Sequence, residues 1–286
     1  MMRVLIKVAY DGTDFAGWQK QPGQRTVEGE LLKALADLFS REIDLIGGSR
    51  TDAGVHSYGN PAVFDIETRM PVERIAPALN VRLPEDVRVL SSSAVAEDFH
   101  PHKIKSRKTY EYRIRVARTL LPTDRYYFHT VHVALDLTAM QKAADLLVGK
   151  HDFTSFSSVH AQVTSRVRTI YELQVTGEGH DSLEPERYRR VENFGGSEHL
   201  QQADPSDQRT DDPELTEMDV KIRVTGDGFL YNMVRIIAGT LIEVGRGAMS
   251  PLSIKEILEA KDRSLAGPTA PAKGLFLIGT EFEGEQ

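Results

Sequence analysis

The chain has 286 residues, a net charge of −7 and no cysteine. Its length suits one large domain or two small ones, and the lack of cysteine excludes disulfides and thiolate metal sites, as is common in a reducing cytoplasm. The sequence has no apolar run of the roughly 18 residues that a membrane helix needs, and residues 1–10 alternate like a strand instead of forming a signal-peptide block. We therefore expect a cytoplasmic protein without a membrane partner.

The first part of the chain alternates between predicted strands and helices. Apolar residues fall at every second position in residues 4–10, which predicts a strand, and at helical spacing in residues 26–38. Pro71 predicts the start of a second helix, and residues 91–95 have the alternation of a strand.

The rest of the chain continues this pattern and ends on a strand. We predict strands at 108–116, 168–175, 218–224 and 275–282, and helices at 137–147, at 229–244 and after Ser250-Pro251. This order of elements predicts an α+β protein with mostly antiparallel sheets.

Negative charge is concentrated in one segment, residues 178–219. It holds 13 acidic and 4 basic residues, whereas the rest of the chain holds 29 acidic and 31 basic residues. The segment has few large aliphatic side chains, so we expect that it cannot bury enough surface to order itself. We predict a flexible acidic insertion on a body that is slightly basic, as a nucleic-acid-binding protein requires.

A glycine-punctuated segment, GGSRTDAGVHS at residues 47–57, carries a guanidinium, a carboxylate and an imidazole within seven residues. It lies between strand-like runs at 43–46 and 63–66, which predicts a connecting loop, and catalytic groups are common in such loops. Taken alone, the segment has a second interpretation, in which Asp52 closes an Asx turn and Arg50 is a solvated cation.

The sequence of this segment resembles the signature of the TruA-type tRNA pseudouridine synthases. Other motifs of that family occur in the same order along nearly the whole chain. These are VAYDGTDFAGWQKQP (8–22), a helix at 26–35, ALNVRLP (78–84), FHPH (99–102), KTYEYRI (108–114), HDFTSF (151–156), SRVRTIYEL (165–173), GFLYNMVRIIAGTLIEVGRG (228–247) and AGPTAPAKGL (266–275). The chain departs from the family in the insertion, where a short connection is usual, and at Asn60-Pro61, where a glutamine and an apolar residue are usual. Because proline lacks a strand donor, we expect the pairing there to be local or at a sheet edge.

The resemblance implies the pseudouridine synthase fold, in which two ferredoxin-like (RRM-like) halves with mostly antiparallel sheets flank a central RNA-binding cleft. The first half, residues 1–104, would carry the catalytic loop, and the second, residues 105–286, would complete the cleft and carry the insertion at 178–219. The resemblance further implies an enzyme that isomerises uridine to pseudouridine at positions 38 to 40 of the tRNA anticodon stem-loop, with no cofactor. Such enzymes are homodimers in which one tRNA crosses both subunits.

The resemblance also gives roles to four side chains. Asp52 is the catalytic residue, Arg235 is its cationic partner, Tyr110 contacts the target base, and Arg50 helps to extrude the target nucleotide. The chemistry agrees, since an ionised carboxylate can attack the sugar or the ring, or remove the 2′ proton, and a buried one needs a countercharge. From the sequence alone, Arg235 can also be an arginine at the polar edge of an apolar helix, and Tyr110 a core tyrosine.

Basic residues cluster next to the predicted strand of Tyr110, and further arginines follow at 113, 115 and 118. We predict that the RNA backbone is contacted by Lys103, Lys105, Arg107, Lys108 and Arg168. The alternative is a solvated strand face. His102 stands where the family often has an arginine, so a phosphate contact there would depend on pH.

The remaining candidate residues are interpreted as structural. We expect His56 to anchor its loop through both ring nitrogens and Trp18 to be a packing residue, while the other histidines complete no recognisable metal-ligand set. Two other functions stay open. A protein that binds structured RNA without catalysis would not need the set of Asp52 and its partners, and a hydrolase that uses Asp52 as nucleophile would lack a second catalytic carboxylate, a P-loop or a serine elbow.

Overall fold

The computed structural model describes residues 1–158, 163–179 and 215–283. Its strands are β1 (Met2–Tyr10), β2 (Ile46–Gly47), β3 (His56–Ile66), β4 (Val87–Val95), β5 (Ser106–Val116), β6 (His129–Val131), β7 (Gly149–Asp152), β8 (Val167–Gly179), β9 (Met218–Gly226) and β10 (Leu275–Phe282). Its α-helices are α1 (Val27–Phe39), α2 (Ile75–Asn80), α3 (Leu137–Asp145), α4 (Met233–Gly245) and α5 (Ser253–Ala260).

All of these strands belong to one sheet, in the order β4-β1-β3-β10-β5-β9-β8-β7, with β2 paired to β3 and β6 paired to β5. Neighbouring strands are antiparallel, except that β10 runs parallel to β3 and β6 runs parallel to β5. The prediction of an α+β fold with mostly antiparallel pairing is confirmed. Strand β10 lies between β3 and β5, so it joins the strands of the first and second parts of the chain.

The buried apolar side chains form two cores on this sheet. The first core is drawn from residues 4–89 and includes α1 and α2, while the second is drawn from residues 110–277 together with Val55 and includes α3, α4 and α5. Val55 ends the loop that carries Asp52, so this loop is attached to the second core although it belongs to the first part of the chain. The division of the chain at residue 104 stays a prediction.

Helices α1 and α3 begin where the sequence supplies capping side chains. Thr26 accepts a hydrogen bond from the backbone N–H of Gly29, and Asp136 accepts one from that of Ala139. Such bonds satisfy N–H groups that have no partner inside the first turn. In the described parts of the chain, no helix is long and apolar enough to cross a membrane.

The helix predicted at 229–244 starts later than expected, because α4 begins at Met233. Asn232 has a φ of 62°, a left-handed conformation that cannot continue a right-handed helix. Residues 229–232 therefore form a turn, which is closed by a hydrogen bond of 3.0 Å from Met233 N to Leu230 O.

At Asn60-Pro61, β3 pairs with β1 on one side, while β10 reaches β3 only at His56 and Ser57, so the other side faces the two-residue strand β2. The expectation that the pairing there is local or at an edge is therefore met on the side of β2. The carbonyl oxygen of Pro61 accepts a hydrogen bond of 2.7 Å from Gly48 N, on the side of the two-residue strand β2. The N and C=O groups of one residue point to the same side of a strand, so the missing N–H of Pro61 also faces β2. The ladder between β3 and β1 therefore loses no hydrogen bond.

Strands β8 and β9 extend into the predicted insertion at 178–219, and Glu178 pairs with Asp219. The predicted boundaries are thus too wide at both ends. Polar side chains at the exposed end of a strand pair give no apolar alternation that a sequence could reveal. Residues 180–214, which make up the rest of the predicted flexible insertion, lie outside the described residues.

Candidate active site

Asp52 lies in the loop between β2 and β3, and backbone hydrogen bonds fix this loop on both sides of it. Thr51 O accepts a bond of 3.1 Å from Trp18 N, and Phe15 O accepts one of 3.3 Å from Gly54 N. The loop is therefore held by the segment that follows β1, and Asp52 has a defined position before any ligand binds.

Two glycines allow these segments to approach so closely. A Cβ atom on Gly12 would lie 2.0 Å from Val55 O, and one on Gly17 would lie 2.7 Å from Thr51 O. Gly17 also has a φ of 98°, which side chains rarely tolerate. The glycines at these two positions are needed for the shape of the Asp52 loop.

Arg235, on α4, is paired with Asp52 across the two cores. Its Nη1 atom lies 3.3 Å from Asp52 Oδ2, and both side chains are 18% exposed. Two further acceptors orient the guanidinium, because Nε donates to Ala270 O at 2.8 Å and Nη1 donates to Asn232 Oδ1 at 2.9 Å. The predicted pair of Asp52 and Arg235 is thus present in the structure.

Burial dominates the electrostatics of Asp52. It raises the pKa of this carboxyl group above its ordinary value, while the positive charge of Arg235 and then its hydrogen bond lower the pKa without cancelling the effect of burial. A carboxylate that acts as a nucleophile or base must be ionised. Arg235 therefore favours the ionised form of Asp52, against the effect of burial.

A cavity of about 660 Å³, called here the Asp52 cavity, has Asp52 in its wall. Its volume falls in the range of ligand sites, about 300–1,000 Å³. The lining comes from the Asp52 loop, from β5 and from the turn before α4, and includes Ser49, Arg50, Thr51, Asp52, His102, Lys108, Tyr110, Phe229, Tyr231 and Asn232. The structure thus brings together four of the predicted site residues in one cavity, Arg50, Asp52, Lys108 and Tyr110, with Arg235 in contact with Asp52.

Tyr110 lies in the wall of this cavity and is 8% exposed. Burial raises the pKa of its hydroxyl group, so the phenol is protonated at neutral pH and can donate a hydrogen bond. Its ring meets that of Phe229 edge to face, with 5.2 Å between the centroids. Arg50, by contrast, is exposed where it lines the cavity.

A second cavity, of about 940 Å³, is lined by every cation that was predicted to contact RNA: Lys103, Lys105, Arg107, Lys108 and Arg168. We call it the basic groove. It shares His102, Lys108 and Phe229 with the Asp52 cavity, so the two form one continuous depression. Three carboxylates also line the groove: Asp227, Glu281 and Glu283.

Lys108 lies where the two cavities meet. Its Nζ donates a hydrogen bond of 2.6 Å to Gly48 O, at the start of the Asp52 loop. Burial lowers its pKa to about 8, so the ammonium group titrates close to neutral pH. Burial and then the charge of Lys108 also lower the pKa of His102, which leaves that imidazole mostly neutral at pH 7.

Arg113 and Arg115, which sequence analysis grouped with the basic cluster, do not line the basic groove. Arg113 Nε lies 2.9 Å from a carboxylate oxygen of Glu111, and Arg115 Nη1 lies 2.6 Å from one of Asp124. Both occupy odd positions of β5, whereas Lys108 and Tyr110 occupy even positions and face the other side of the sheet. Arg107 also occupies an odd position but lines the groove at the start of β5, so position along the strand and ion pairing, not alternation alone, keep Arg113 and Arg115 out of the groove.

His56 anchors the end of the Asp52 loop, as expected. Its Nδ1 accepts a hydrogen bond of 3.0 Å from Gly12 N, and its Nε2 lies 3.0 Å from Tyr126 O. The ring stacks on Phe276 at 4.6 Å between centroids, and burial lowers the pKa of His56. Within the described residues, no group of three or more His, Cys, Asp or Glu side chains is placed to hold a metal ion.

Sequence analysis missed the contribution of Asn232, which holds Arg235 and lines the Asp52 cavity. The residue was counted as part of a helix. The sequence does contain one indication of this turn, which is the asparagine itself. Asparagine adopts the left-handed conformation more readily than most other residues and is common just before a helix.

The fold and the site define a class of protein: an α+β protein with a half-buried carboxylate–guanidinium pair at a cavity that continues into a basic groove. A family model described as tRNA pseudouridine synthase matches residues 6–102 and 143–283. The chain belongs to the tRNA pseudouridine synthase family, whose members are isomerases.

Relatives that are named tRNA pseudouridine synthase A align over almost the full length. The protein of Exiguobacterium sp. is 40% identical over 283 residues, which is 99% of each chain. That of Anoxybacillus flavithermus is 39% identical over 99% of this chain and 100% of its own. That of Clostridium acetobutylicum is 39% identical over 97% and 98%, respectively.

A solved structure of a Cbf5-Nop10-Gar1 complex contains a chain that overlaps with this fold. The TM-score is 0.29, with 11% identity, over 83% of this chain and 54% of that chain. Family membership rests on the sequence relatives and not on this overlap.

Proposed function

We propose that this protein isomerises uridine to pseudouridine in tRNA, at positions 38 to 40 of the anticodon stem-loop, with Asp52 as its catalytic residue. The observation that carries the proposal is the Asp52–Arg235 pair, with 3.3 Å between Oδ2 and Nη1, at a cavity that Tyr110 also lines. The relatives' name supports tRNA as the substrate, and the tRNA positions follow from the resemblance of the motifs.

The reaction needs few groups. The C1′–N1 bond breaks, the uracil turns, C1′ bonds to C5, the proton on C5 leaves and N1 gains a proton. Asp52 acts either as a nucleophile on the sugar or ring, or as the base that removes the 2′ proton, and both routes require its ionised form. Atoms and oxidation state are unchanged overall, so no cofactor is needed.

Tyr110 lines the same cavity as Asp52 and supports this chemistry. Its buried ring supplies a face against which the detached uracil can stack. Its hydroxyl is held in the protonated form by burial, which raises its pKa. We propose that Tyr110 keeps the base in the cavity and exchanges a proton with it through this hydroxyl group.

Arg50 and the basic groove serve to bind the RNA and to extrude the target. A uridine that is stacked in a helix hides C1′ and C5, so it must be turned out before Asp52 can reach it. Arg50 is exposed where it lines the cavity, and a guanidinium can replace the lost base in the stack while it pairs with phosphate. Lys103, Lys105, Arg107, Lys108 and Arg168 are proposed to hold the flanking phosphates.

We also propose that residues 1–104 and 105–286 are the two halves of one subunit in a cytoplasmic homodimer, and that one tRNA crosses both subunits. The two cores, drawn mainly from residues 4–89 and 110–277, support the division. The homodimer follows from the family resemblance. Light scattering of the protein with and without tRNA tests it.

The experiment that tests the function is to map pseudouridine in unmodified tRNA after incubation with the purified protein, without added cofactor and with EDTA. The tRNA fold is checked separately, because chelation can affect it. We expect pseudouridine at positions 38 to 40, and none with Asp52→Asn. Binding without any pseudouridine would favour the RNA-binding alternative, and release of free uracil would favour a hydrolase.

A further inference from the structure

Tyr171 lies at a β-bulge in the wall of the basic groove. The pairing of β8 with β9 shifts its register between Ile170 and Glu172, so Tyr171 is the extra residue. The bulge lets Ile170 and Leu173 both enter the core, while Tyr171 is 43% exposed. An aromatic side chain of this size is thus turned out of the core and into a groove lined by cations.

Arg107 fixes the ring of Tyr171. Its guanidinium carbon lies 4.9 Å from the ring centroid, within reach of a cation–π interaction. The two residues belong to β5 and β8, which are separated by β9. The ring is therefore preoriented and still largely open to solvent.

We propose that Tyr171 is a stacking platform for an unpaired nucleobase of the RNA, next to the target nucleotide, and that the cations of the basic groove hold the adjoining phosphates. The inference rests on the proposed function and deepens it. Sites for single-stranded nucleic acid combine a cationic groove with exposed aromatic rings on which bases stack. The basic groove has both, and His102, Lys108 and Phe229 connect it with the Asp52 cavity.

Stacking and phosphate contacts should make the affinity for RNA depend differently on salt concentration. Stacking on Tyr171 involves no counterion, whereas each phosphate contact releases counterions from the RNA. Loss of the ring should therefore weaken binding equally at all salt concentrations. Loss of Lys103, which lines the same groove, should flatten the dependence of affinity on salt.

The test uses an anticodon stem-loop hairpin that carries 2-aminopurine at one loop position at a time, because stacking quenches the fluorescence of this base. The full-length protein is compared with Tyr171→Ala, Tyr171→Phe and Lys103→Ala. Tyr126→Ala is the matched control, since Tyr126 is 40% exposed and stacks with Arg125 at 4.1 Å but lines neither cavity. Thermal melting of each variant checks its fold.

We expect the wild-type protein to quench one loop position, and Tyr171→Ala to lose this quenching together with at least about fivefold in affinity. The salt slope should not change. Tyr171→Phe should keep both properties, and Lys103→Ala should lower the slope by about 0.7 to 0.9. Absence of a quenched position in the wild-type complex, or affinity of Tyr171→Ala within twofold of wild type, would overturn the inference.

The same hairpins separate this inference from the proposed function. Pseudouridine formation is measured in a single turnover with wild-type protein. A protein that forms pseudouridine but shows no stacking at Tyr171 refutes only the inference. A protein that forms no pseudouridine in the hairpins or in full-length tRNA refutes the proposed function, and the fluorescence still decides whether Tyr171 stacks a base.

Discussion

The Nη1 atom of Arg235 lies 3.3 Å from Oδ2 of Asp52, although 183 positions separate the two residues in the chain. Asp52 is fixed by the loop before β3, and Arg235 by α4 and its hydrogen bond of 2.8 Å to Ala270 O. The contact forms only when both cores have assembled on the common sheet. Asp52 and Arg235 can each be replaced without changing the other residue.

Replacing Asp52 with asparagine should lower the single-turnover rate of pseudouridine formation by roughly 10³-fold or more, because the amide is neither a nucleophile nor a base. The affinity for tRNA should stay within a few-fold, since the shape is unchanged. Asp37→Asn is a suitable control, because Asp37 also pairs with an arginine, at 2.6 Å, but is 69% exposed. A near-normal rate for Asp52→Asn would refute the catalytic role.

Replacing Arg235 with alanine should shift the acid limb of the rate–pH profile to higher pH. Burial alone raises the pKa of Asp52, and Arg235 is what opposes it. Without Arg235, the carboxyl group is ionised less at a given pH, so activity should fall most at the acidic end of the range and recover in part at higher pH. Single-turnover rates from pH 5 to 9 measure this.

Arg235→Lys separates the effect of the positive charge from that of the hydrogen bonds. Lysine keeps the positive charge but cannot reproduce the guanidinium's bonds to Ala270 and Asn232 at the same time. It should keep more of the wild-type pH profile than alanine does. A profile of Arg235→Ala that matches the wild type in rate and shape would show that Arg235 is not the partner of Asp52.

Asp52 should also reduce stability at neutral pH. Its pKa is raised in the folded protein, so the folded state binds the proton more tightly, and the resulting stabilisation is lost as pH rises through the folded pKa. Asp52→Asn should therefore melt higher than wild type at pH 7. The difference should shrink towards pH 4.

Asp152→Asn should have the opposite effect on the melting temperature at pH 7. Hydrogen bonding from the Thr154 side chain lowers the pKa of Asp152, so its ionised form stabilises the protein at neutral pH. This variant should melt lower than wild type at pH 7. Melting curves of both variants at pH 4 and 7 check the pair, and a lower melting temperature of Asp52→Asn at pH 7 would contradict the effect of burial.

Much of the fold was predictable because it follows from local patterns. The alternation in residues 4–10 and the capping by Thr26 correspond to β1 and α1 within a few residues. The start of α4 was not predictable from apolar spacing, since Leu230 is buried but lies in a turn set by the backbone of Asn232. Periodicity reports burial and not backbone conformation.

The sequence indicated which residues come together at the candidate site but not the environment in which they lie. The motifs indicated Asp52, Tyr110, Arg50 and Arg235, and the structure adds that Asp52 is buried enough for its pKa to rise despite Arg235. Burial depends on how the two cores meet, which a linear pattern does not contain. The basic cluster was divided by position along β5 and by ion pairing, since Arg113 pairs with Glu111 and lies outside the groove that Arg107 and Lys108 line.

The Asp52 loop should not tolerate a side chain at Gly12. A Cβ there would lie 2.0 Å from Val55 O, so Gly12→Ala must displace backbone atoms of the loop. We expect a loss of about 1–3 kcal/mol in the free energy of unfolding and a lower rate. Gly279→Ala is the matched control, because nothing lies within 4 Å of its Cβ. Urea denaturation and single-turnover rates test both, and equal values would contradict the role of Gly12.

Replacing residues 180–214 with a short glycine-containing turn should leave folding and chemistry intact, because the pairing of β8 with β9 and the packing of Leu215 on the second core are kept. The replaced residues include 10 acidic and 4 basic ones, so their removal makes the protein less negative. The tRNA should therefore bind more tightly or equally, with the larger gain at low salt, where screening is weak. Affinity and single-turnover rate at two salt concentrations measure this. Unfolding, or severalfold weaker binding, would show that the segment is structural or contacts the RNA.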